Sequence, residues 1–434
     1  MRMRLALATS TLALIASPIA AQDFALTNAT VVTGDGSEPI TNGTVLVRAG
    51  KVVAAGRDVE VPANVASDDV GGRWVTPGIF AAITTLGIWD VGAVTESNDT
   101  RAGGSPFSAA LDTAPIINPN SQHILIHRAA GITRAATTTL PSGSIFAGQG
   151  AIIDLDSDGK PVMKARAFQM VDLGEGGARR AGGSRASTYT LFRNALREAQ
   201  ALGSGLPRTP EITKGEDVML SRFDAEALKP VVRGTQKLFI SVERAADIRS
   251  ALNLRSEFPR LDIVLVGVSE GWLVANEIAQ SGVPVIADGL DDLPTGFDQL
   301  AATQSNIGRM VDAGVKVAIN AAAMEDPRRL PQHAGNLVAL NKIPGASGLS
   351  WGEAFAAISS IPADISGLGG SAGVLKPGAV GDVVLWDNDP LEVGSVPTRV
   401  FIDGIEQNLD NHQSRLRDRY RDLDESDLPK AYDW

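Results

Sequence analysis

The sequence predicts an α/β fold in which a central region of alternating strands and helices is flanked by two β-rich ends. Three observations predict it. Short apolar runs of buried-strand type recur between residues 76 and 369, separated by stretches of helical periodicity. Residues 24–73 read as short strands broken by turn signals, too few to make a stable unit alone. Residues 373–404 carry complementary strand-like runs at the far end of the chain.

The elements follow in order. Met1-Arg-Met-Arg4 is a basic start, residues 5–16 are apolar, and residues 17–21 (S-P-I-A-A) offer a small-residue cleavage site after Ala20 or Ala21. Residues 1–21 therefore read as a signal peptide, and the chain is expected in the periplasm or secreted. An uncleaved anchor is the alternative, although the run is short for a bilayer span of roughly 20 residues. No other segment is apolar enough to span a membrane. Residues 24–33 form a strand that Gly34-Asp-Gly36 ends, and residues 43–50 and 51–56 form a hairpin. In the middle, residues 131–138, 238–241, 263–267, 284–287 and 315–319 read as strands, and 245–258, 270–280 and 304–313 as helices. Residues 88–120 and 173–185, rich in Gly with Ser, Asn, Pro or Arg, are expected as loops. The tail, 411–434, carries charge of mixed sign and reads as a solvated helix or a disordered end.

Composition excludes several functions. The 434 residues include no cysteine, so disulfides, thiolate metal sites and cysteine nucleophiles are ruled out. The net charge of −11 argues against a nucleic-acid surface. An aromatic content of 5% is low for a carbohydrate-stacking protein.

Two segments carry a resemblance. Residues 74–87 read W-V-T-P-G-I-F-A-A-I-T-T-L-G, and residues 373–392 read G-V-L-K-P-G-A-V-G-D-V-V-L-W-D-N-D-P-L-E, followed by V-F-I-D-G at 400–404. Both resemble the amidohydrolase superfamily, especially members like imidazolonepropionase. The resemblance covers most of residues 24–410. It implies a (β/α)8 TIM barrel over 76–369 and a discontinuous β-sandwich built from 22–75 and 370–410, with 411–434 as the tail. It also implies hydrolysis of C–N bonds other than ordinary peptide bonds, through one or two divalent metals, usually zinc. The family's ligands are His-x-His after strand one, Lys or Glu on strand four, His on strands five and six, and Asp on strand eight.

At the matching positions these ligands are replaced. The family's first run is V-x-P-G-L-I-D-A-H-T-H-L-G, and here its aspartate is Ala81 and its histidines are Ile83 and Thr85. The strand-five run V-x-V-H-A-H-R-A-x-D-I appears as residues 238–248, with Ser241 and Glu243 at the histidines. Ser269 and Glu270 lie near the strand-six position, and Ala322 near the strand-eight aspartate. Lys164 is the nearest candidate for strand four. Two imidazoles at i, i+2 on a strand share one face and so one metal, a role Ile and Thr cannot fill.

Other groups remain to be weighed. His123 and His127 are four apart, about 40° apart on a helix, and can share a metal. Their alternative is a structural role outside the barrel, with His127 in the last helical turn. His333 and His412 read as structural or surface residues. Glu243, Glu270 and Asp288 can reach a barrel mouth, where three carboxylates suit Mg, Ca or metal-free acid–base work. Otherwise Glu243 pairs with Arg244 or another base, Glu270 caps the following helix and Asp288 starts a turn. The loop 142–150, S-G-S-I-F-A-G-Q-G, either cradles an anion with its amides or is a tight connection.

The resulting expectation is a pseudoenzyme or partner subunit with no cofactor. The alternatives are a ligand-binding barrel and a hydrolase with a relocated carboxylate site. A catalytically intact paralogue, a second copy of the chain or a small molecule is the expected partner. Neither nucleic acid nor, after signal cleavage, a membrane is expected.

Overall fold

The computed structural model describes residues 21–203, 219–320 and 326–421. The expected signal peptide, apart from Ala21, lies outside these residues, as do Ala322 and residues 422–434. Among the described residues no helix is long and apolar enough to cross a membrane.

The first sheet begins with β1 (Phe24–Val31), β2 (Ile40–Arg48), β3 (Lys51–Gly56), β4 (Ala66–Asp69) and β5 (Trp74–Pro77). The central sheet holds β6 (Ile79–Thr84), β7 (Ile132–Thr137), β8 (Phe146–Asp154), β9 (Val162–Asp172), β10 (Lys237–Val242), β11 (Ile263–Gly267), β12 (Val285–Asp288) and β13 (Val317–Asn320). The chain returns to the first sheet with β14 (Val383–Trp386), β15 (Pro397–Ile402) and β16 (Ile405–Glu406).

In the central sheet β6 to β13 pair in sequence order, and β13 packs back against β6, so the sheet is a nearly closed eight-stranded barrel. Its interior is apolar. Phe80, Ala82, Ile83, Met170, Val264, Val266, Ile286 and Ala318 fill it around a stacked pair, Phe168 and Phe239, with ring centroids 4.2 Å apart. It is a packed core, not a pore.

The barrel departs from eight βα repeats at one strand. β8 runs antiparallel to both β7 and β9. Residues 138–161 have turn formers, Pro141, Gly143 and Gly159, and no helical repeat. The chain therefore reverses directly instead of crossing over through a helix.

Helices surround the other strands. α1 (Gln122–Ala129) lies between β6 and β7. α2 (Glu175–Arg180), α3 (Arg185–Gly203), α4 (Arg222–Ala227) and α5 (Lys229–Val232) lie between β9 and β10. α6 (Ala245–Glu257), α7 (Ala275–Ser281) and α8 (Asn306–Asp312) alternate with the strands up to β13. α9 (Leu330–Leu340), α10 (Trp351–Ala356) and α11 (Ser360–Ile365) follow, and α12 (His412–Arg419) comes last. The segment 173–185, expected as a loop, contains α2. Glu175 in its first turn and Arg179 and Arg180 in its last suit the helix dipole, and Glu175 pairs with Arg179 at 2.6 Å.

Strands from both chain ends share the first sheet, in the order β16-β15-β14-β5-β1-β2-β3, with β4 on β1. β14 lies antiparallel to β5, Trp386 opposite Trp74. The expected sandwich takes the form of one rolled sheet. Phe24 on β1 stacks on Phe401 on β15 at 4.2 Å, and the Gly381 amide donates to the Gly50 carbonyl at 2.8 Å. The roll encloses Val45, Val47, Val75, Val383 and Leu385.

A buried ion pair joins sheet to barrel. Arg134 on β7 donates to Asp382 at 2.7 and 3.1 Å and to Asp403 at 2.8 Å. Burial opposes its charge, but the two carboxylates more than offset this and raise its pKa. The β5–β6 turn presses just as closely on β7, since a Cβ on Gly78 would stand 2.0 Å from Thr133 Oγ1.

Candidate functional site at the barrel mouth

In a parallel barrel the C-terminal strand ends form the mouth, where sites are built. On the β6 side this mouth is plugged. Ala81 and Ile83 are fully buried, Ile83 among the barrel-interior side chains. Thr85 is also buried, and its hydroxyl accepts from the Trp89 indole N–H at 3.1 Å. Trp89 in turn stacks on His123, with centroids 3.6 Å apart.

The His123–His127 pair lies on α1, as the sequence suggests. His123 Nε2 is 3.0 Å from the Asp90 carbonyl, and burial lowers its pKa. His127 Nδ1 is 2.6 Å from the His123 carbonyl, and its Nε2 is 3.4 Å from Asp326. Asp326 is held at about 2, first by His127 and then by Arg328. These histidines are bound to a carboxylate and to backbone. His412 is the first residue of α12 and is exposed.

The opposite side of the mouth is acidic. Glu243, one residue past β10, accepts from the Ser269 amide at 3.0 Å and hydroxyl at 2.8 Å. The Ser269 hydroxyl oxygen also lies 3.1 Å from Asp291 Oδ2 and accepts from Gln299 at 3.2 Å. The expected Glu243–Arg244 pair does not form. Arg244 bonds Asp247 at 2.9 Å instead. Glu243 lies hard against Gly267, where a Cβ would be 2.1 Å from Oε1, and Gly267 has φ +91°. Only glycine fits that conformation and that contact. Asp288 ends β12 beside Asn320 of β13, and among the described residues its buried Oδ1 has no hydrogen-bond partner.

These carboxyls hold their protons unusually well. Burial pushes Glu243 up to about 7, and the charges of Asp291 and Asp298 add to this against the Ser269 hydrogen bonds. Burial and the charges of Asp291 and Glu243 push Asp288 to about 8. Asp291 is raised by burial. His333, on α9, is lowered by burial and by Arg329, and among the described residues its buried Nδ1 has no hydrogen-bond partner. Glu243 and Asp288, which can give and take protons near neutral pH, are therefore gathered with Asp291 and His333 on one side of the mouth.

The other candidates separate. Glu270 is structural: Oε2 accepts from the Ala245 amide at 3.0 Å, capping α6, and Oε1 from Ala301 at 3.1 Å. It therefore caps the helix before it, not the one after. Ser241 sits in register with Asp172 on β9. Lys164 lies near the start of β9, exposed, away from the mouth. The mouth end of strand four carries Asp172 instead, paired with Arg180 at 2.7 Å. Ala322 lies outside the described residues. The loop around Ser142, Gly143 and Ser144 lines a rim cavity of 220 Å³ with Phe107, Leu111 and Leu191. Among the described residues no group of three His, Cys, Asp or Glu side chains is arranged to hold a metal ion.

Sequence reasoning missed Asp291, Asn320 and Asp172. The acid pair Asp291-Asp292 three residues past β12 was the available signal for the first.

No family model matches the chain. The amidohydrolase tasK of Hapsidospora irregularis is 24% identical over 402 residues, 84% of this chain. The chain spans 40% of that relative's length. A crystal structure of an amidohydrolase from Thermotoga maritima superposes with TM-score 0.76 at 23% identity, covering 88% of this chain and 99% of that one. A prolidase complexed with N-methylphosphonate-L-proline gives TM-score 0.53 at 15% identity, over 89% and 99% of the two chains. Molinate hydrolase gives 0.53 at 16%, over 90% and 95%. The chain thus shares its fold with these hydrolase structures, and its sequence is similar to that of an amidohydrolase.

Proposed function

We propose that this chain is an exported amidohydrolase-superfamily protein that has lost metal-dependent hydrolysis of non-peptide C–N bonds. It keeps a proton-holding acidic cluster at the mouth and serves as a partner subunit. The observation that carries the loss is the β6 side of the mouth. Ile83 offers no donor atom and is sealed in the barrel core, and the Thr85 hydroxyl already holds Trp89. These residues do not fit a zinc ion, which needs imidazole, carboxylate or thiolate ligands in tetrahedral reach.

The partner role draws support from length. The part of the tasK relative outside the match is longer than this entire chain, leaving room there for a second unit of this size. Export is supported by the basic and apolar start of the sequence.

The acidic side of the mouth favours a second reading, metal-free acid–base hydrolysis. Glu243, Asp288 and Asp291 share buried surroundings, and Asp288 and Glu243 titrate near neutrality. Assays on cyclic amides and dipeptides separate the readings. The wild-type chain is expected to show no turnover that a chelator abolishes. Ile83→His with Thr85→His plus zinc is expected to remain inactive, because Ser241 supplies no imidazole on β10. Zinc-dependent turnover by that variant would show that a ligand set survives, and turnover insensitive to chelator but lost in Glu243→Gln would select the second reading.

A further inference from the structure

The loop at Ser142, Gly143 and Ser144 lines the 220 Å³ cavity at the barrel rim, and the function proposed above uses no residue of that lining. The walls of the cavity are fastened to one another. The Leu140 amide donates to the Thr100 carbonyl at 2.8 Å, and Arg101 donates to the Pro141 carbonyl at 3.1 Å. A Cβ on Gly143 would stand 2.7 Å from the Gly103 carbonyl oxygen, so the loops after β6 and β7 touch. Asp224 on α4 accepts from the Ser108 and Ala110 amides at 2.8 Å each and from the Ser221 hydroxyl at 2.7 Å. Segments distant in sequence are thus tied together around one space, as in a preformed ligand pocket.

The chemistry of the lining selects its ligand. α3 contributes Leu191 and Ala195, four residues apart and so on one helix face, and β8 contributes Phe146. The β7–β8 loop contributes the hydroxyls of Ser142 and Ser144. Ser144 Oγ accepts from the Phe146 amide at 3.3 Å, which leaves its O–H free to donate. Among the described residues Asp224 is the single ionisable group of the lining, and it is buried. An anion would meet that charge with no cation to balance it, at a high cost of burial. An ammonium group would give up its water for a carboxylate whose oxygens already accept three hydrogen bonds. The anion cradle open to this loop from its sequence therefore does not fit the cavity the loop lines.

We propose that the rim cavity binds a small, uncharged, single-ring molecule with one hydrogen-bonding substituent. The ring lies against Phe146, Leu191 and Ala195, and the substituent meets Ser142 and Ser144. The size agrees: an apolar cavity of about 150 Å³ holds benzene, so 220 Å³ has room for a ring and its substituent. Phe107, in the lining, meets Phe223 edge to face with ring centroids 5.7 Å apart. Both rings are exposed and give the cavity an apolar margin that suits such a ligand.

Titration calorimetry on the full-length chain tests this with benzyl alcohol, benzoate and benzylammonium at neutral pH, which share a ring and differ in charge. Benzyl alcohol is expected to bind tenfold or more tightly than either ion. Ala195→Leu, which extends a side chain into the cavity from α3, is expected to weaken its binding tenfold or more. Ser142→Ala with Ser144→Ala is expected to weaken it by about threefold to tenfold, the worth of a hydrogen bond, while leaving the binding of toluene unchanged. That second variant keeps the test decisive if Ala195→Leu fails to fold, because unchanged toluene binding shows an intact cavity. An ion that binds as tightly as benzyl alcohol, a wild-type chain that does not bind benzyl alcohol, or binding that neither variant weakens would each overturn the proposal.

Discussion

Replacing Arg134 with methionine is expected to destabilise the protein by about 3–5 kcal/mol, the range for breaking a buried ion pair from one side. The guanidinium is fully buried and holds Asp382 and Asp403 across the junction of barrel and rolled sheet. Without it Asp382, itself buried, has no cation to face. The variant is also expected to lose the salt-insensitive part of its stability, because the pair lies beyond solvent screening. Adding Asp382→Leu to the variant should recover part of the loss, since two apolar groups replace a pair more cheaply than one orphaned charge. Urea midpoints of the two single variants and the double variant measure this. A single variant within 1 kcal/mol of wild type, on the scale set for such pairs, would mean that the junction does not depend on this pair.

Asp288→Asn is expected to stabilise the protein at pH 8 and to change it little at pH 5. Burial and neighbouring acids raise the folded-state pKa of Asp288 from 3.8 to about 8. Between those values the folded chain keeps a proton that the unfolded chain has released. Stability contributed by this group is therefore fully present below about pH 4, falls as pH rises towards 8 and levels off beyond it. Asparagine keeps the shape and never ionises, so the gain at pH 8 is on the order of 2–3 kcal/mol. Coupling to Glu243 and Asp291 keeps it below the full linkage value. Thermal unfolding at the two pH values reads the effect. A variant that loses stability at pH 8 would mean that Asp288 is ionised and matched by a cation there.

Much of the fold was legible because the motif residues that remain are the structural ones. Pro77-Gly78 makes the close turn against Thr133. Asp382 answers Arg134, Trp386 donates to Thr76 at 3.0 Å, and Asp389 accepts from Trp351 at 3.1 and 3.2 Å. Arg244 and Asp247, from the strand-five run, hold each other at the start of α6. Each of these contacts serves packing, and packing is needed whether or not a metal is bound. Ile83, Thr85 and Ser241 stand where the motifs that this sequence resembles carry ligands.

The site was less legible because it depends on groups far apart in sequence that only the tertiary fold brings together. Glu243, Ser269, Asp288 and Asp291 come from three strand ends and their loops. No short spacing marks them, and Ser269 reads as an ordinary loop serine. Glu270 looked equivalent to Glu243 in sequence, yet one residue's difference in direction turns it to the start of α6. The antiparallel β8 was hidden for a similar reason. Residues 146–154 are apolar enough for a buried strand, but strand direction depends on the length and turn content of the connections on either side. α2 was obscured by its glycines, which lower helix propensity while its end charges favour the helix.

The proposed loss of the metal site is tested most directly by elemental analysis of the purified, dialysed full-length protein. With Ile83, Thr85 and Ser241 in place of ligands, well under one zinc per chain is expected, and adding zinc should not raise the unfolding temperature. One tightly held zinc per chain, with a matching stabilisation, would contradict the loss and direct the search for ligands to Glu243, Asp288 and Asp291 first.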